Sequence, residues 1–303
     1  MSEERARVLR LLEEGKINAE QAARLIEALR PRREEVNDFT ELPRPPRPPR
    51  PPLPPRVAMA ELDRIPDIVA GAVASAMKSG FGTAAELKSA FPGKSSLFLK
   101  SVSGDVQVTG WDEDRIEVES TGGFAKVRER DDKVMIRSIS GDYTIRTPRE
   151  ARLELVSVSG DVEVSGVGGR FVLKSVSGDV DLVGFKGEVE ASVVSGDLSL
   201  DGFSGKVLVE SKSGDITCRP AGPLEGSMVS KSGDIELQLA ADADLVLDME
   251  CEEEGEIVVG LSFPFETLEE EEHRLKLELG DGNRELVLRT RDGEIRLADA
   301  EEE

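Results

Sequence analysis

The chain is poor in the residues that most catalytic and metal sites use. Its 303 residues include one His, two Cys, one Trp and one Tyr, and aromatic residues make up 4% of the sequence. With His273 as the single histidine, the sequence excludes catalysis by a histidine pair and a metal site with several histidine ligands. Cys218 and Cys251 cannot form a disulfide framework or a four-thiolate zinc site, and they favour a reducing compartment. We therefore predict a protein that is not an enzyme and has no cofactor.

Long hydrophobic runs and an excess of basic residues are also lacking. No stretch approaches the roughly 18 apolar residues of a membrane-spanning helix, and residues 1–12 are charged where a secretion signal would be apolar. These features predict a cytoplasmic protein, with a peripheral position at the inner face of the membrane as the alternative. The 39 basic residues against 61 acidic ones give a net charge of −22, which argues against a nucleic-acid partner.

Residues 1–35 are predicted to form a helical hairpin. A first stretch with apolar residues at helical spacing ends at Gly15, and Asn18 with Gln21 makes the capping-box pattern of a second helix. Two helices of about 12 residues bury too little apolar surface to be stable alone. We therefore expect residues 1–30 to bind a protein partner or a second copy of the chain.

Residues 36–60 are predicted to be a linker rich in Pro and Arg. Its run of proline favours a polyproline II rod with three residues per turn, which places Arg44, Arg47 and Arg50 along one edge about 9 Å apart. One interpretation is a stiff spacer that the arginines keep soluble. The other is a basic line of contact for anionic lipid, an SH3-like partner or the acidic end of the chain itself.

Residues 61–92 are predicted to contain a capping helix. Apolar side chains follow the spacing of an amphipathic helix over residues 65–77, at Ile65, Ile68, Val69, Ala72, Val73, Ala76 and Met77. The opposite face is small and nearly neutral, whereas a helix on a membrane surface needs a strongly basic face. We expect the helix to cover the first coil of the next domain, at Leu97 and Leu99. Membrane contact through this helix or through the Pro/Arg arm is the alternative.

A repeat of 18–19 residues predicts the fold of residues 93–300. The tripeptide Ser-Gly-Asp recurs with its Asp at Asp105, Asp142, Asp161, Asp179, Asp197, Asp215 and Asp234. Between the first two copies, a decayed copy stands at 120–124. Apolar residues alternate with polar ones before and after each Asp, which indicates short strands joined by a glycine turn. The prediction is a mainly β fold, a parallel β-solenoid whose coils stack about 4.8 Å apart.

We predict ten or eleven coils, counting the decayed copy and irregular coils near Gly255 and Gly293. At the C-terminal end, glutamates such as those at 269–272 place charge on an edge that would otherwise pair with further strands.

Two parts of the chain resemble known families. The repeated Ser-Val-Ser-Gly-Asp-Val, the Lys-Ser-Gly-Asp-Ile variants at 212–216 and 231–235, and the closing segment 288–297 resemble the bacterial putative-adhesin β-strand-repeat family. Residues 10–17 and 20–29 resemble the SHOCT-like helical hairpins of bacterial proteins. The first resemblance implies a right-handed β-solenoid without an assigned activity or catalytic residues. The two together resemble envelope-stress-associated members of the family.

The recurring Asp is the candidate for a metal site. A ladder of carboxylates could bind Ca²⁺, but calcium-binding β-rolls use a nine-residue repeat that this chain lacks. We therefore predict that each carboxylate accepts backbone N–H bonds within its own turn and that no metal binds.

Aromatic and cysteine side chains are assigned to the interior. Trp111, Phe185 and Phe203 share the position six residues after an Asp, and we expect them to stack inside a corner of the coil instead of forming a sugar platform. Cys218 falls on an inward position. Cys251 lies beside glutamates that should raise its pKa.

The position three residues before each Asp is the candidate interaction site. It holds Val102, Ile139, Val158, Val176 and Val194, followed by Lys212 and Lys231. Strand parity turns this column outward, and an exposed apolar stripe on a highly charged protein usually marks a contact surface. We predict that it contacts a partner, a second solenoid or the Pro-rich arm. Alternatively, the chain bends at the serines and the valines lie inside a corner.

The predicted function is that of a non-enzymatic scaffold, which uses the rigid solenoid and the helical hairpin to bind proteins. A glycan- or cell-surface-binding module of the adhesin type is the alternative.

Overall fold

The computed structural model describes residues 86–252 and 255–300, and within these ranges the chain forms nineteen strands and no helix. The strands are β1 (Glu86–Pro92), β2 (Ser96–Ser101), β3 (Val106–Trp111), β4 (Arg115–Arg130), β5 (Lys133–Pro148), β6 (Glu150–Ser159), β7 (Val162–Ser165), β8 (Gly168–Ser177), β9 (Val180–Val183), β10 (Lys186–Ser195), β11 (Leu198–Ser213), β12 (Ile216–Ser230), β13 (Ile235–Leu239), β14 (Leu245–Cys251), β15 (Glu256–Gly260), β16 (Glu266–Glu271), β17 (Arg274–Leu279), β18 (Glu285–Thr290) and β19 (Glu294–Asp299). None of these residues lies in a helix that could cross a membrane. The predicted hairpin, the Pro/Arg linker with Arg44, Arg47 and Arg50, and the helix at 65–77 lie outside the described residues.

The strands stack as a solenoid with two sheet faces. On the first face, which leads into each Ser-Gly-Asp turn, the order is β4, β5, β2, β6, β8, β10, β11, β12, β18, β14, β17 and β16. On the second face, which follows the turn, the order is β1, β4, β5, β3, β7, β9, β11, β12, β13, β19 and β15. The long strands β4, β5, β11 and β12 contribute to both faces. The predicted parallel stacking of the repeats is confirmed.

The core lies between the two faces and contains the predicted apolar columns. The residues six and eight positions before each Asp, such as Leu155 and Leu153, are buried, as are those one and three positions after it, such as Val162 and Val164. Their alternation with exposed neighbours follows from the period of two residues in a strand.

The coil order differs from the sequence order at the N-terminal end. The coil formed by β2 and β3 lies inside the stack, because Leu97 pairs with Val134 of β5 on one side and with Leu153 of β6 on the other. The predicted capping site at Leu97 and Leu99 is therefore wrong, since neighbouring coils cover both edges. Residues 86–92, which the prediction placed in the capping-helix region, form β1, an antiparallel partner of β4.

The decayed repeat explains this order. β4 contains residues 120–124 and runs antiparallel to β5, with Arg130 paired to Lys133. The two residues between them make a tight hairpin turn in which Asp131 has a φ of 52°, a left-handed conformation that Asp tolerates and that such turns require. The decayed copy is thus an antiparallel end layer. Within the described residues nine parallel coils stack, and this layer makes ten, in agreement with the predicted ten or eleven, which included the decayed copy.

The C-terminal end is built in a similar way. The coil of β18 and β19 is inserted between β12–β13 and β14–β15, so the last repeat along the chain is internal. β17 then runs antiparallel to β14, and β16 pairs with β17. The sequence of β16 is ETLEEE and nearly all of its side chains are exposed. The glutamates at 269–271 therefore lie on an edge strand, as predicted, where their charge opposes the addition of another strand.

A buried ion pair joins β14 to β17. Asp248 is 4% exposed, and its two carboxylate oxygens accept hydrogen bonds of 3.0 and 2.9 Å from Nε and Nη2 of Arg274. Burial alone would raise the pKa of Asp248, but the hydrogen bonds and charge of Arg274, together with Lys276 and Arg289, hold that pKa below its ordinary value. The carboxylate therefore stabilises the folded state only while it is ionised.

We expect Asp248→Asn to lower the free energy of unfolding at pH 7 by about 2–3 kcal/mol, less than for a fully enclosed pair because Arg274 reaches solvent. The depressed pKa means that this contribution is full above the unfolded-state pKa and is lost as the pH falls through the folded-state pKa. Urea unfolding of both proteins at pH 7 and pH 3 measures the difference, which should shrink in acid. Asp292→Asn, at the exposed pair with Arg291, is the control and should leave the free energy of unfolding almost unchanged, because exposed ion pairs contribute little. An equal difference at both pH values would contradict the assignment.

Candidate interaction surface

The Ser-Gly-Asp turns form one corner of the solenoid. Gly178 has a φ of 118°, and a Cβ atom added there would lie 2.3 Å from the carbonyl oxygen of Gly160 in the next coil. The glycines of the other Ser-Gly-Asp turns repeat this arrangement, with an added Cβ 2.1–2.5 Å from a carbonyl oxygen of the adjacent layer. Glycine is required for both its backbone angle and its small size, so the turn backbones stack in direct contact.

The Asp carboxylates link each coil to the next. The Asp179 backbone N–H donates to Asp161 Oδ1 at 2.9 Å, and Asp179 Oδ1 in turn accepts from the Asp197 backbone at 2.9 Å. The same bond joins the other turns, in the order Asp142, Asp105, Asp161, Asp179, Asp197, Asp215, Asp234 and Glu294. The prediction of a bond within the same turn is wrong: the donor belongs to the adjacent coil, because the stacking distance matches the reach of the side chain. The Asp column is thus a structural ladder that holds the corner in register.

The two outer faces differ in charge beside this corner. On the second face, burial together with Asp179, Glu163 and Asp161 raises the pKa of Asp181, which indicates a locally acidic surface. On the first face, Lys100 stacks beside Arg137. Burial and the charge of Arg137 lower the pKa of Lys100. A surface that approaches the first face at this end therefore meets positive charge.

A column of buried serines, which the sequence reasoning missed as a separate feature, fixes the direction of the candidate stripe. Ser157 and Ser175 stand four positions before their Asp and are 2% and 0% exposed. Ser101, at the same position, donates from Oγ to the carbonyl of Ser103 at 3.2 Å. Because these serines point inward, the next residue along each strand points outward. The alternation of Ser and Val before the turn was the available signal.

The predicted site residues lie together on the outside of the first face. Their order along the stack is Ile139, Val102, Val158, Val176, Val194, Lys212 and Lys231. We call this column the valine stripe. Its five apolar members are half-buried, neither fully exposed nor part of the core. Val158, Val176 and Val194 belong, with Val156, to a hydrophobic cluster separate from the core.

Other candidate groups lie in the interior or are engaged in contacts. Phe185 and Phe203 are fully buried, with ring centroids 6.3 Å apart, which confirms the corner assignment. For Trp111 the same prediction is wrong, because this side chain is half-buried and the guanidinium groups of Arg115 and Arg146 lie 4.9 and 5.9 Å from its ring centroid.

Both cysteines are buried. Burial raises the pKa of Cys218 to about 12. The pKa of Cys251 is raised to about 11, mainly by burial, with the predicted contribution of Glu250 a smaller cause.

The fold defines a β-solenoid repeat protein that carries a half-buried apolar stripe beside one corner. Residues 92–298 match the Toastrack DUF4097 family, and the chain belongs to this family. Residues 3–34 match a SHOCT-like domain. Both findings confirm the resemblances predicted from the sequence.

Solved structures and curated proteins were also compared with the chain. A putative cell adhesion protein from Clostridium sporogenes is 12% identical, and the match covers 72% of this chain and 100% of that one with a TM-score of 0.30. For a putative adhesin from Bacteroides fragilis the identity is 13%, the coverage is 70% and 96%, and the TM-score is 0.35. No curated protein is significantly similar to the chain.

Proposed function

We propose that this protein is a non-enzymatic scaffold with two separate contact regions. The SHOCT-like hairpin at 1–30 associates with a protein partner or a second copy, and the valine stripe contacts a partner along the solenoid. The observation that carries this proposal is the hydrophobic cluster of Val156, Val158, Val176 and Val194 on the outside of a sheet. Apolar clusters that lie outside the core of a highly charged protein usually mark binding surfaces.

The construction of the corner supports a scaffold role. A glycine column and an Asp ladder fix successive coils at one spacing, so the stripe is a regular row of side chains about 4.8 Å apart. A partner that binds such a row loses little binding free energy to ordering the surface. In this proposal the protein is cytoplasmic or peripheral to the inner face of the membrane, the solenoid is right-handed, and the pathway is linked to envelope stress.

The alternative is a glycan- or cell-surface-binding module. One of the two solved structures is of a putative adhesin and the other is of a putative cell adhesion protein, which agrees with this alternative, although their low similarity supports no functional argument. Sugar sites are commonly built on aromatic platforms. Here Phe185 and Phe203 are buried, and two arginines approach the Trp111 ring. We therefore favour the scaffold.

The test is affinity capture with the full-length chain from native lysate, quantified by mass spectrometry. We expect Val158→Lys with Val176→Lys to reduce the captured partner at least tenfold and to leave the melting temperature close to that of the parent, because both changed side chains face outward. Val183→Lys is the matched control, since Val183 is 44% exposed and lies on the second face. If the stripe variant unfolds, the stripe is part of the core. If it captures the same proteins as the control, the scaffold proposal fails for this surface.

A further inference from the structure

The chain that precedes β1 leaves the solenoid beside the valine stripe. Glu86, the first residue of β1, pairs with Thr121 of β4, and Thr121 pairs with Asp142 of β5. Residue 86 therefore lies two strand spacings, about 10 Å, from the Asp142 corner. Ile139, the first apolar residue of the stripe, is three residues before that corner.

The segment before this exit point has the length of the stripe. The apolar part of the stripe spans five successive coils from Ile139 to Val194, about 19 Å at 4.8 Å per coil. An α-helix over residues 65–77, as the sequence predicts, would be about 20 Å long. The eight residues at 78–85 can extend up to about 27 Å, enough to bring the end of such a helix to Ile139.

The spacing of side chains along such a helix also matches the spacing of the stripe residues. A helix advances about 5.4 Å per turn, close to the coil spacing of about 4.8 Å, so apolar side chains one turn apart meet successive stripe residues. With Met77 near Ile139, this places Val73 near Val102 and Val69 near Val158. A helix whose apolar face is this narrow needs a partner of similar width.

The charges at the Lys212 end of the valine stripe also favour this placement of the helix. In this orientation, the acidic residues Glu61, Asp63 and Asp67 lie toward the end of the stripe at Lys212 and Lys231. The reverse orientation would place Lys78 there and is disfavoured by like charge. Lys212 and Lys231 thus favour one orientation of the helix along the stripe and mark where the apolar contact ends.

We infer that residues 65–77 of this chain bind along its own valine stripe as an amphipathic helix, antiparallel to the order of the coils from Ile139 to Val194. The inference rests on the proposed function, because a stripe that contacts partners is then occupied by the chain itself until a partner displaces it. The occupant is this segment and not a second solenoid, since the exit point, length and charge all belong to the same chain.

Disulfide trapping in the full-length protein tests this inference. We expect Val73→Cys with Val102→Cys to form an intramolecular disulfide under mild oxidation, with the same yield over a hundredfold dilution. The buried Cys218 and Cys251, whose pKa values are raised to about 12 and about 11, should not compete. Ala74→Cys with Val102→Cys places one cysteine on the opposite helix face, and Val73→Cys with Val183→Cys places the other on the opposite sheet face. Both control pairs should give at least fivefold less product.

Equal disulfide yields in all three pairs would overturn the inference. A product found only as a covalent dimer would also overturn it, and would show that a second copy of the chain occupies the stripe. Hydrogen exchange gives an independent measure: Val158→Lys with Val176→Lys should speed exchange at 65–77 at least tenfold, and Val183→Lys should not. Trapping without any loss of partner capture in the stripe variant would reject the proposed function and keep this inference. Loss of partner capture without disulfide trapping would reject this inference and keep the proposed function.

Discussion

Replacing Gly178 by Ala is expected to destabilise the protein by more than about 3 kcal/mol, an effect outside the usual range of single substitutions. The residue has a φ of 118°, which costs an L-residue strain energy, and the new Cβ would lie 2.3 Å from the Gly160 carbonyl oxygen. Neither atom can move alone, because Gly160 stacks in the same way on Gly104. Urea unfolding followed by far-UV circular dichroism measures the change.

Gly184→Ala is the control for this prediction. Gly184 has a φ of 63°, and an added Cβ at that position would meet no atom within 4 Å. Only the left-handed backbone angle then opposes the substitution, at about 1–2 kcal/mol. Similar losses at both positions would mean that the backbone angle, and not the contact between coils, makes glycine necessary at the corner.

The repeat predicts much of the solenoid because its information is local. The period places one turn every 18 or 19 residues, the Gly in that turn allows the backbone angle, and the alternation around it separates inward from outward side chains. Each of these features depends on a few adjacent residues. The buried state of Leu153 and Val164 and the edge position of the glutamates in β16 could therefore be predicted from the sequence alone.

The order of the coils could not be predicted in this way. Because all coils present similar apolar columns, β2 can pair as well with β6 as with a sequence neighbour. The sequence of a repeat therefore does not specify its position in the stack. The actual order depends on the turn at Asp131, which makes β4 antiparallel to β5 and leaves the first coil between later ones. The donor to each Asp carboxylate was mispredicted for a related reason, since it belongs to the next coil.

The direction of the valine stripe was predictable, but its half-buried state was not. Direction follows from strand parity, which the inward serines confirm. Burial depends on side chains from several coils at once, such as Val158, Val176 and Val194 of successive coils. The sequence predicts which side chains of a strand face outward, but the side chains that pack beside them depend on the order of the coils.

Replacing Phe185 by Ala is the second change with a large expected effect, a loss of about 3–5 kcal/mol. Phe185 is fully buried, and its ring centroid lies 6.1 Å from that of Phe171 and 6.3 Å from that of Phe203. Removal of the ring leaves a cavity that the corner cannot close, because the coils on both sides are held in register by backbone pairing. The ring of Phe185 is thus a packing element of the corner between β9 and β10.

Phe265→Ala separates this cavity effect from the loss of any aromatic residue. Phe265 is 41% exposed, and its truncation should cost less than about 1 kcal/mol. Phe185→Leu keeps most of the buried volume and should recover at least half of the loss, because cavity size sets the cost. Thermal and urea unfolding of the three variants would contradict the packing role of Phe185 if Ala and Leu at this position were equally destabilising, or if Phe265→Ala matched either of them.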